Sequence, residues 1–408
     1  MENSKWKTDR WFVSHLNYEP EVTKNLHFPP QIEIHDTTLR DGEQETGVEF
    51  RWYEKVEIAE RLAEAGVHRI EAGMPAVSPD DEKAVREIVK RNLGPKIMAF
   101  CRCIVDDVKL AADCGVDGIV VEIPSSGHII EKAYQWPLQK AIDLSVQATS
   151  VAKELGLYTT FFTIDASRAD LGWLKQIIAN VAEHGHMDAL TLVDTMGVCS
   201  HHAINYFVRS MKEAFGQFPL EAHFHNDLGL AVANTLEALS LGVQVAHTTV
   251  AGLGERCGGA ALEELAVALL VLYGIDIGID TTRLYSLAHR VAELSGHRLP
   301  QNKALVGTEM YKLESGIPSV WFRRCTGDLS TEVFPLRHDL VGQPAPRIVL
   351  GKASGEDSVR AWLEALGVEA SPEQVTAMLR RVKQRSLELK GLLSKEDFQV
   401  IVDETLKS

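Results

Sequence analysis

Residues 218–229 read Phe-Pro-Leu-Glu-Ala-His-Phe-His-Asn-Asp-Leu-Gly, and the two histidines of this run, His223 and His225, alternate with apolar neighbours. Side chains of a strand point to opposite faces in turn. An i, i+2 pair therefore presents two imidazole nitrogens to one point, as a metal ion requires. A carboxylate is still needed to complete such a site. Asn226, Asp227 and Gly229 are turn and helix-start residues, which puts the pair at the carboxyl end of its strand. The same two residues would also suit a core that satisfies two buried imidazoles with hydrogen bonds. These twelve residues alone do not separate the two readings.

The elements that must position the pair are legible from residue 31 onward. Short apolar runs at 31–36, 68–74, 97–102, 118–124, 158–164, 189–195, 220–226 and 244–250 alternate with amphipathic helical stretches such as 50–65, 79–92, 138–155 and 201–215. Gly66, Gly115, Gly156 and Gly242 stand where a glycine beyond a helix C-terminus belongs. Eight strands alternating with helices predict a parallel (β/α)8 TIM barrel over 31–274, closed by a helix at 260–273. An open doubly wound sheet is the alternative. It is weakened because no Gly-x-Gly-x-x-Gly turn follows the first run. Around the barrel we expect an extended N-terminal arm (1–30) whose Trp6, Trp11, Phe12, Tyr18 and Phe28 pack on the main body or on a second subunit. A linker subdomain (275–350) is expected to be helical to 300 and then irregular, broken by Pro318, Pro335, Pro344 and Pro346. The last part (351–408) is expected to be a small module with two helices, at 356–366 and 372–390.

The chain has 408 residues, 45% hydrophobic and 24% charged, so it can bury a large core. Its net charge of −15 argues against nucleic acid or an anionic membrane as a partner, and a small anionic substrate would need a local basic site. Six cysteines without a Cys-x-x-Cys pair suggest neither a disulfide framework nor structural zinc, which fits a reduced, cytoplasmic location. Lys5, Lys7, Asp9 and Arg10 are followed by no apolar core, so the start does not read as a signal peptide. The most apolar run, 265–273, is far shorter than the roughly 20 residues of a spanning helix.

With a barrel in place, Arg40 and Asp41 follow the first strand on the same face as the histidines. Asp41 can complete a metal site, and two imidazoles with one carboxylate leave about three positions of an octahedral ion for a chelating substrate. A 2-oxo acid fits that description, with Arg40 facing the oxygen that becomes negative on attack. A salt-bridged Arg40–Asp41 turn is the plain alternative.

Residues 35–44, His-Asp-Thr-Thr-Leu-Arg-Asp-Gly-Glu-Gln, resemble the signature of the DRE-TIM metallolyases, which include 2-isopropylmalate, citramalate and homocitrate synthases and 3-hydroxy-3-methylglutaryl-CoA lyase. The segments 71–75 (Glu-Ala-Gly-Met-Pro), 193–197 (Val-Asp-Thr-Met-Gly), 223–227 (His-Phe-His-Asn-Asp) and 252–256 (Gly-Leu-Gly-Glu-Arg) resemble family segments in the family's order, and 348–355 is similar to the synthases' Gly-Lys-His-Ser-Gly segment. The resemblance implies Asp41, His223 and His225 as ligands of one divalent ion (Mg2+, Mn2+, Co2+ or Zn2+) and Arg40 as the catalytic arginine. Thr195 and Gln44 are then placed near the substrate. It also implies acetyl-CoA as co-substrate in the synthase direction and a homodimer.

The chain departs from the synthase pattern at several positions. Ile164 stands where the synthases look to carry a Glu, Pro318 where they carry a linker His, Val333 at a Tyr, Ala353 at the His of Gly-Lys-His-Ser-Gly, and Gly259 at an Asn of some members. Cys257, His128 and Glu71 are the candidates for acid–base work, with His338 a more distant one. Cys101 and Cys103 are two apart on one strand and read as packing. The expectation is a metal-dependent enzyme forming a carbon–carbon bond on a 2-oxo acid. A retro-aldol or retro-Claisen lyase of a 2-hydroxy or 3-hydroxy acid is the first alternative, and a non-catalytic metal-binding paralogue the second. The lost residues predict poor turnover with acetyl-CoA.

Overall fold

The computed structural model describes residues 4–325 and 327–407, with the backbone alone at 327–329. Contacts divide the chain into two compact units, one formed by Leu16–Leu299, the other by the chain up to His15 together with everything from Pro300 onward.

The first unit is the expected barrel. Its strands are β1 (Glu33–Asp36), β2 (Arg69–Glu71), β3 (Lys96–Arg102), β4 (Gly118–Pro124), β5 (Tyr158–Ile164), β6 (Ala189–Asp194), β7 (Leu220–Phe224) and β8 (Val245–Thr248). Neighbours pair in parallel, and β8 closes the circle on β1 with His35 in register with His247. The outer helices dock by one apolar face. In His201–Phe215 the Ser200 side chain accepts the N–H of Ala203, capping the start, and Ile204, Phe207, Val208, Met211 and Phe215 are buried at helical spacing. Each such aliphatic side chain contributes roughly 1.5–3 kcal/mol by leaving water.

Several expected bounds shift. β7 stops at Phe224, because the chain beyond it turns to bond with its neighbours: His225 N–H donates to the Asp194 carbonyl and Asn226 N–H to that of Gly258. The 275–300 stretch holds only a helical turn, Thr281–Arg283, and the helix Leu284–Ser295. Its Arg290 forks onto Glu57 at 2.7 and 2.8 Å, and the stretch up to Leu299 belongs to the barrel unit by its contacts.

In the second unit, the nominally irregular 301–350 contains the helix Gly316–Arg324 and a parallel pair, β9 (Lys312–Leu313) with β10 (Arg347–Ile348). Pro318 does not break that helix because it lies in the first turn, where its missing N–H has no intrahelical partner. The helices Glu356–Leu366 and Pro372–Leu389 are joined by a third, Lys395–Lys407. Its Phe398, Ile401 and Val402 complete a core with Val359, Leu363, Val375, Met378 and Val382. The two expected helices therefore need no second subunit to cover their apolar faces, which removes that ground for a dimer.

The N-terminal arm packs on its own chain. Phe12 N–H donates to the Pro335 carbonyl at 2.8 Å and Arg337 N–H to that of Arg10 at 2.8 Å, within the second unit. Residues 16–30 go with the barrel, where the Tyr18 hydroxyl donates to the Val271 carbonyl at 2.9 Å. Among the described residues no helix is long and apolar enough to cross a membrane.

Candidate metal centre

After β1 the backbone folds tightly, with the N–H groups of Arg40 and Asp41 both donating to the Thr37 carbonyl, at 3.1 and 2.8 Å. This turn aims Asp41 at the end of β7. His223 Nε2 and His225 Nε2 stand 3.3 Å apart, and Asp41 Oδ2 lies 3.9 Å from His223 Nε2. One ligand atom from each of the three lies within 4.8 Å of the others, and all three side chains are buried. The two histidines therefore converge although only His223 is in the strand.

The donor set fits a divalent cation on the polarity of its own contacts. His225 Nδ1 sits 3.2 Å from the Gly258 carbonyl oxygen. Only an N–H can face a carbonyl, so the proton is on Nδ1 and the lone pair on Nε2. His223 is held in its neutral form: burial pushes its pKa well below the ordinary value, and the neighbouring His225, His247 and Arg40 push it further. Asp41 Oδ2 is buried with no hydrogen-bond partner among the described residues. A bare carboxylate oxygen beside two imidazole nitrogens is costly unless a counter-charge joins them. Two nitrogens and one oxygen are a common divalent set and leave coordination positions open.

Arg40 is fixed beside this point. Its Nε donates to Glu71 Oε1, and its Nη1 to Gln44 Oε1 at 2.9 Å and Asp41 Oδ1 at 3.2 Å. Its guanidinium lies 4.0 Å above the Phe100 ring. The remaining Nη2 is buried with no partner among the described residues, a donor left over for a substrate oxygen. Glu71 takes His35 Nε2 on its other oxygen at 3.0 Å. Burial alone would raise the Glu71 carboxyl, but Arg40 and His35 outweigh it and hold the group at about 2. Glu71 thus ties Arg40 through one oxygen and His35 through the other. Gln44 likewise grips the guanidinium. A cavity of about 570 Å³, within the range of small-ligand sites, opens beside Arg40 and Gln44 against Phe50 and Met74.

The other expected residues fall around the same barrel face. Thr195, beyond β6, accepts the Asp165 N–H at 2.7 Å, and its carbonyl takes Arg256 Nη2. His128, exposed after β4, has Nε2 3.3 Å from Asp165 Oδ2. Asp165 is buried and reaches this position through a left-handed backbone, φ 62°. Cys257 is an exposed free thiol in the loop after β8. Ile164 ends β5 in register with Pro124. Cys101 Sγ points to the Asp107 carbonyl and Cys103 Sγ to Ser145, both on helices outside the barrel, so neither is a ligand. Pro318, Val333, Ala353 and His338 lie in the second unit, where His338 Nδ1 is 2.9 Å from the Gln343 carbonyl and edges against Tyr311.

Sequence reasoning missed a set of buried or half-buried polar residues inside the barrel. His35, Arg69, Glu122, Glu221 and His247 lie on strands whose other members are largely apolar, and that contrast was the available signal. Three of them, His35, Glu221 and His247, also cluster closely enough for an ion. Hydrogen bonds already use that carboxylate: Glu221 faces His247 Nε2 at 2.9 Å and takes Arg69 Nη1 at 2.8 Å. Glu122 points inward, in register with Phe162, whose ring meets His223 edge-on at 5.0 Å.

A family model described as HMGL-like matches residues 31–291. The chain belongs to the HMGL-like family and is an enzyme. It is 36% identical to a homocitrate synthase AksA of Methanothermobacter thermautotrophicus over 92% of this chain and 93% of that protein. It is 42% identical to a putative (R)-citramalate synthase CimA of Archaeoglobus fulgidus over 87% of this chain and 71% of that one. A 2-isopropylmalate synthase of Methanocaldococcus jannaschii is 35% identical over 95% of this chain and 74% of that one. Among solved structures, a Bacillus subtilis HMG-CoA lyase superposes with a TM-score of 0.61 at 22% identity, over 67% of this chain and 96% of that chain, and so shares the barrel fold.

Proposed function

We propose that this enzyme joins an acyl-CoA, acetyl-CoA in the simplest case, to a small anionic 2-oxo acid, using one divalent ion held by Asp41, His223 and His225. The observation that carries the reading is the convergence of those three ligand atoms beside Arg40, whose Nη2 has no partner among the described residues. The names of the relatives, all synthases, support the same direction. When bound, the ion supplies polarisation of a keto oxygen.

The chain's own residues do the rest. Arg40 places a fixed positive charge where the keto oxygen becomes negative. A proton must leave the carbon next to the thioester, and its electron pair then forms the bond to the keto carbon. Glu122 is suited to take that proton. It faces into the barrel, and no hydrogen bond or ion pair ties its carboxyl among the described residues. Burial raises it to about 7 despite the opposing charges of Arg40 and Arg102. Water then attacks the thioester carbonyl and CoA leaves as the thiol. In this reading His128, after β4, contacts the substrate; its Nε2 lies 3.3 Å from Asp165 Oδ2, which supports the ring. We further propose a cytoplasmic homodimer, consistent with six free cysteines.

The test is incubation of the purified chain with Mg2+, Mn2+, Co2+ or Zn2+, acetyl-CoA and a panel of 2-oxo acids, following thiol release and products together, with mass measured by light scattering. Thiol release dependent on both ion and 2-oxo acid supports the reading. Cleavage of 2-hydroxy or 3-hydroxy acids without thiol release in the forward assay would replace it with the lyase.

A further inference from the structure

One side of the proposed metal centre is backed by a chain of buried polar contacts. It starts at Arg69 on β2, whose guanidinium meets Glu33 Oε2 at 2.6 Å and Glu221 Oε1 at 2.8 Å. Thr160 on β5 adds a hydroxyl to the same Glu221 oxygen at 3.4 Å. The other oxygen, Oε2, faces His247 Nε2 at 2.9 Å. The far nitrogen of that ring, His247 Nδ1, lies 3.3 Å from His223 Nδ1. Five strands thus contribute to one line of contacts ending on a candidate ligand.

The polarity of this line is determined residue by residue. Glu221 Oε1 takes the Arg69 guanidinium, a permanent charge, at 2.8 Å, so the carboxyl is ionised and its Oε2 can only accept. His247 must therefore turn its Nε2–H toward it. An ion on His223 Nε2 requires that ring's proton on Nδ1, where it can only donate to His247 Nδ1, whose lone pair faces it when the His247 proton is on Nε2 toward Glu221. The lone pair of His223 is left on Nε2, the atom that faces His225 and Asp41. The His247 ring is held flat for this by His35, stacked 4.3 Å away at 19°.

We infer that Arg69, Glu221 and His247 form a hydrogen-bond relay that fixes His223 in the tautomer able to bind an ion, with His247 as the positioning residue. The inference rests on the proposed metal centre. It makes Glu221 and Arg69, which are not among the three proposed ligands, determinants of metal affinity. Partners of this kind typically change affinity by about 10- to 100-fold when lost.

The test is Mn2+ affinity by calorimetry and the visible spectrum of the Co2+-loaded protein, for the full chain and its variants, with folding checked by circular dichroism and Tm. His247→Phe keeps a flat ring against His35 but offers no acceptor. It should bind Mn2+ about 10- to 100-fold more weakly and alter the Co2+ spectrum. His247→Gln offers an amide oxygen to His223 Nδ1–H and should recover most of the affinity. Should His247→Phe fail to fold, Glu221→Gln removes the charge that orients His247 and should weaken Mn2+ binding in the same sense. Wild-type affinity and spectrum in His247→Phe, or in Glu221→Gln, would overturn the relay, as would equal losses in the Phe and Gln variants. A wild-type chain that binds none of these ions would instead remove the metal centre itself, and the relay with it.

Discussion

Glu71 holds Arg40 from beneath: one carboxylate oxygen takes the arginine's Nε–H, the other takes His35, and both partners are buried. Breaking a buried pair of this kind leaves an uncompensated charge, which costs about 3–5 kcal/mol. Glu71→Leu should lower stability by about that amount in denaturant titration. Removing both charges, in Arg40→Met/Glu71→Leu, should restore most of it. Arg40→Met alone should abolish thiol release, because the charge beside the reacting oxygen is gone. Full activity in Arg40→Met would detach Arg40 from the chemistry.

Glu122 makes a pH-dependent prediction opposite in sign to that of a salt-bridged acid. Its carboxyl is raised from an ordinary 4.5 to about 7, first by burial. The unfolded chain therefore loses the proton at lower pH than the folded one, and the charged form penalises the fold increasingly between about 4.5 and 7. Glu122→Gln carries no such penalty. Its Tm should match the wild type near pH 4.5, pull ahead as pH rises to about 7, and keep a constant lead above that. In kinetics the same substitution should cut kcat by about 10²- to 10⁴-fold while Mn2+ still binds. A Tm difference independent of pH would contradict the assignment.

Gly258 supports the other histidine. Its carbonyl accepts His225 Nδ1–H and Asn226 N–H, and its φ is +71°. A Cβ there would lie 1.7 Å from the Gly252 carbonyl oxygen, so the loop after β8 must move. Gly258→Ala should lower both Tm and Mn2+ affinity. Gly127→Ala, where nothing lies within 4 Å of the added carbon, is the control and should change neither.

How much of this was legible in the sequence depends on whether a feature is local. β4 and β5 match their expected bounds because Gly118–Pro124 and Tyr158–Ile164 are β-branched and aromatic runs with clear ends. Asp41, His223 and His225 were legible because strand periodicity and the position after β1 already put them on one face. His225 lies outside the strand for a reason no local pattern carries: its neighbour Asn226 bonds to Gly258, 32 residues on. The relay is hidden for the same reason, since His223 and His247 meet only when β7 and β8 pair, and Arg69 on β2 reaches Glu221 on β7 only across the closed barrel. The helix Lys395–Lys407 was legible in principle. Phe398, Ile401, Val402 and Thr405 are buried at helical spacing, but the charged residues between them mask the stripe.

The central claim is that Asp41, His223 and His225 hold the ion. The most direct measurement is metal content per chain after Mn2+ loading and exhaustive dialysis, for the wild type and for the double variant His223→Ala/His225→Ala. The account predicts a stoichiometric ion in the wild type and none in the double variant, with the fold retained by circular dichroism. A folded double variant carrying the ion at wild-type stoichiometry would contradict it.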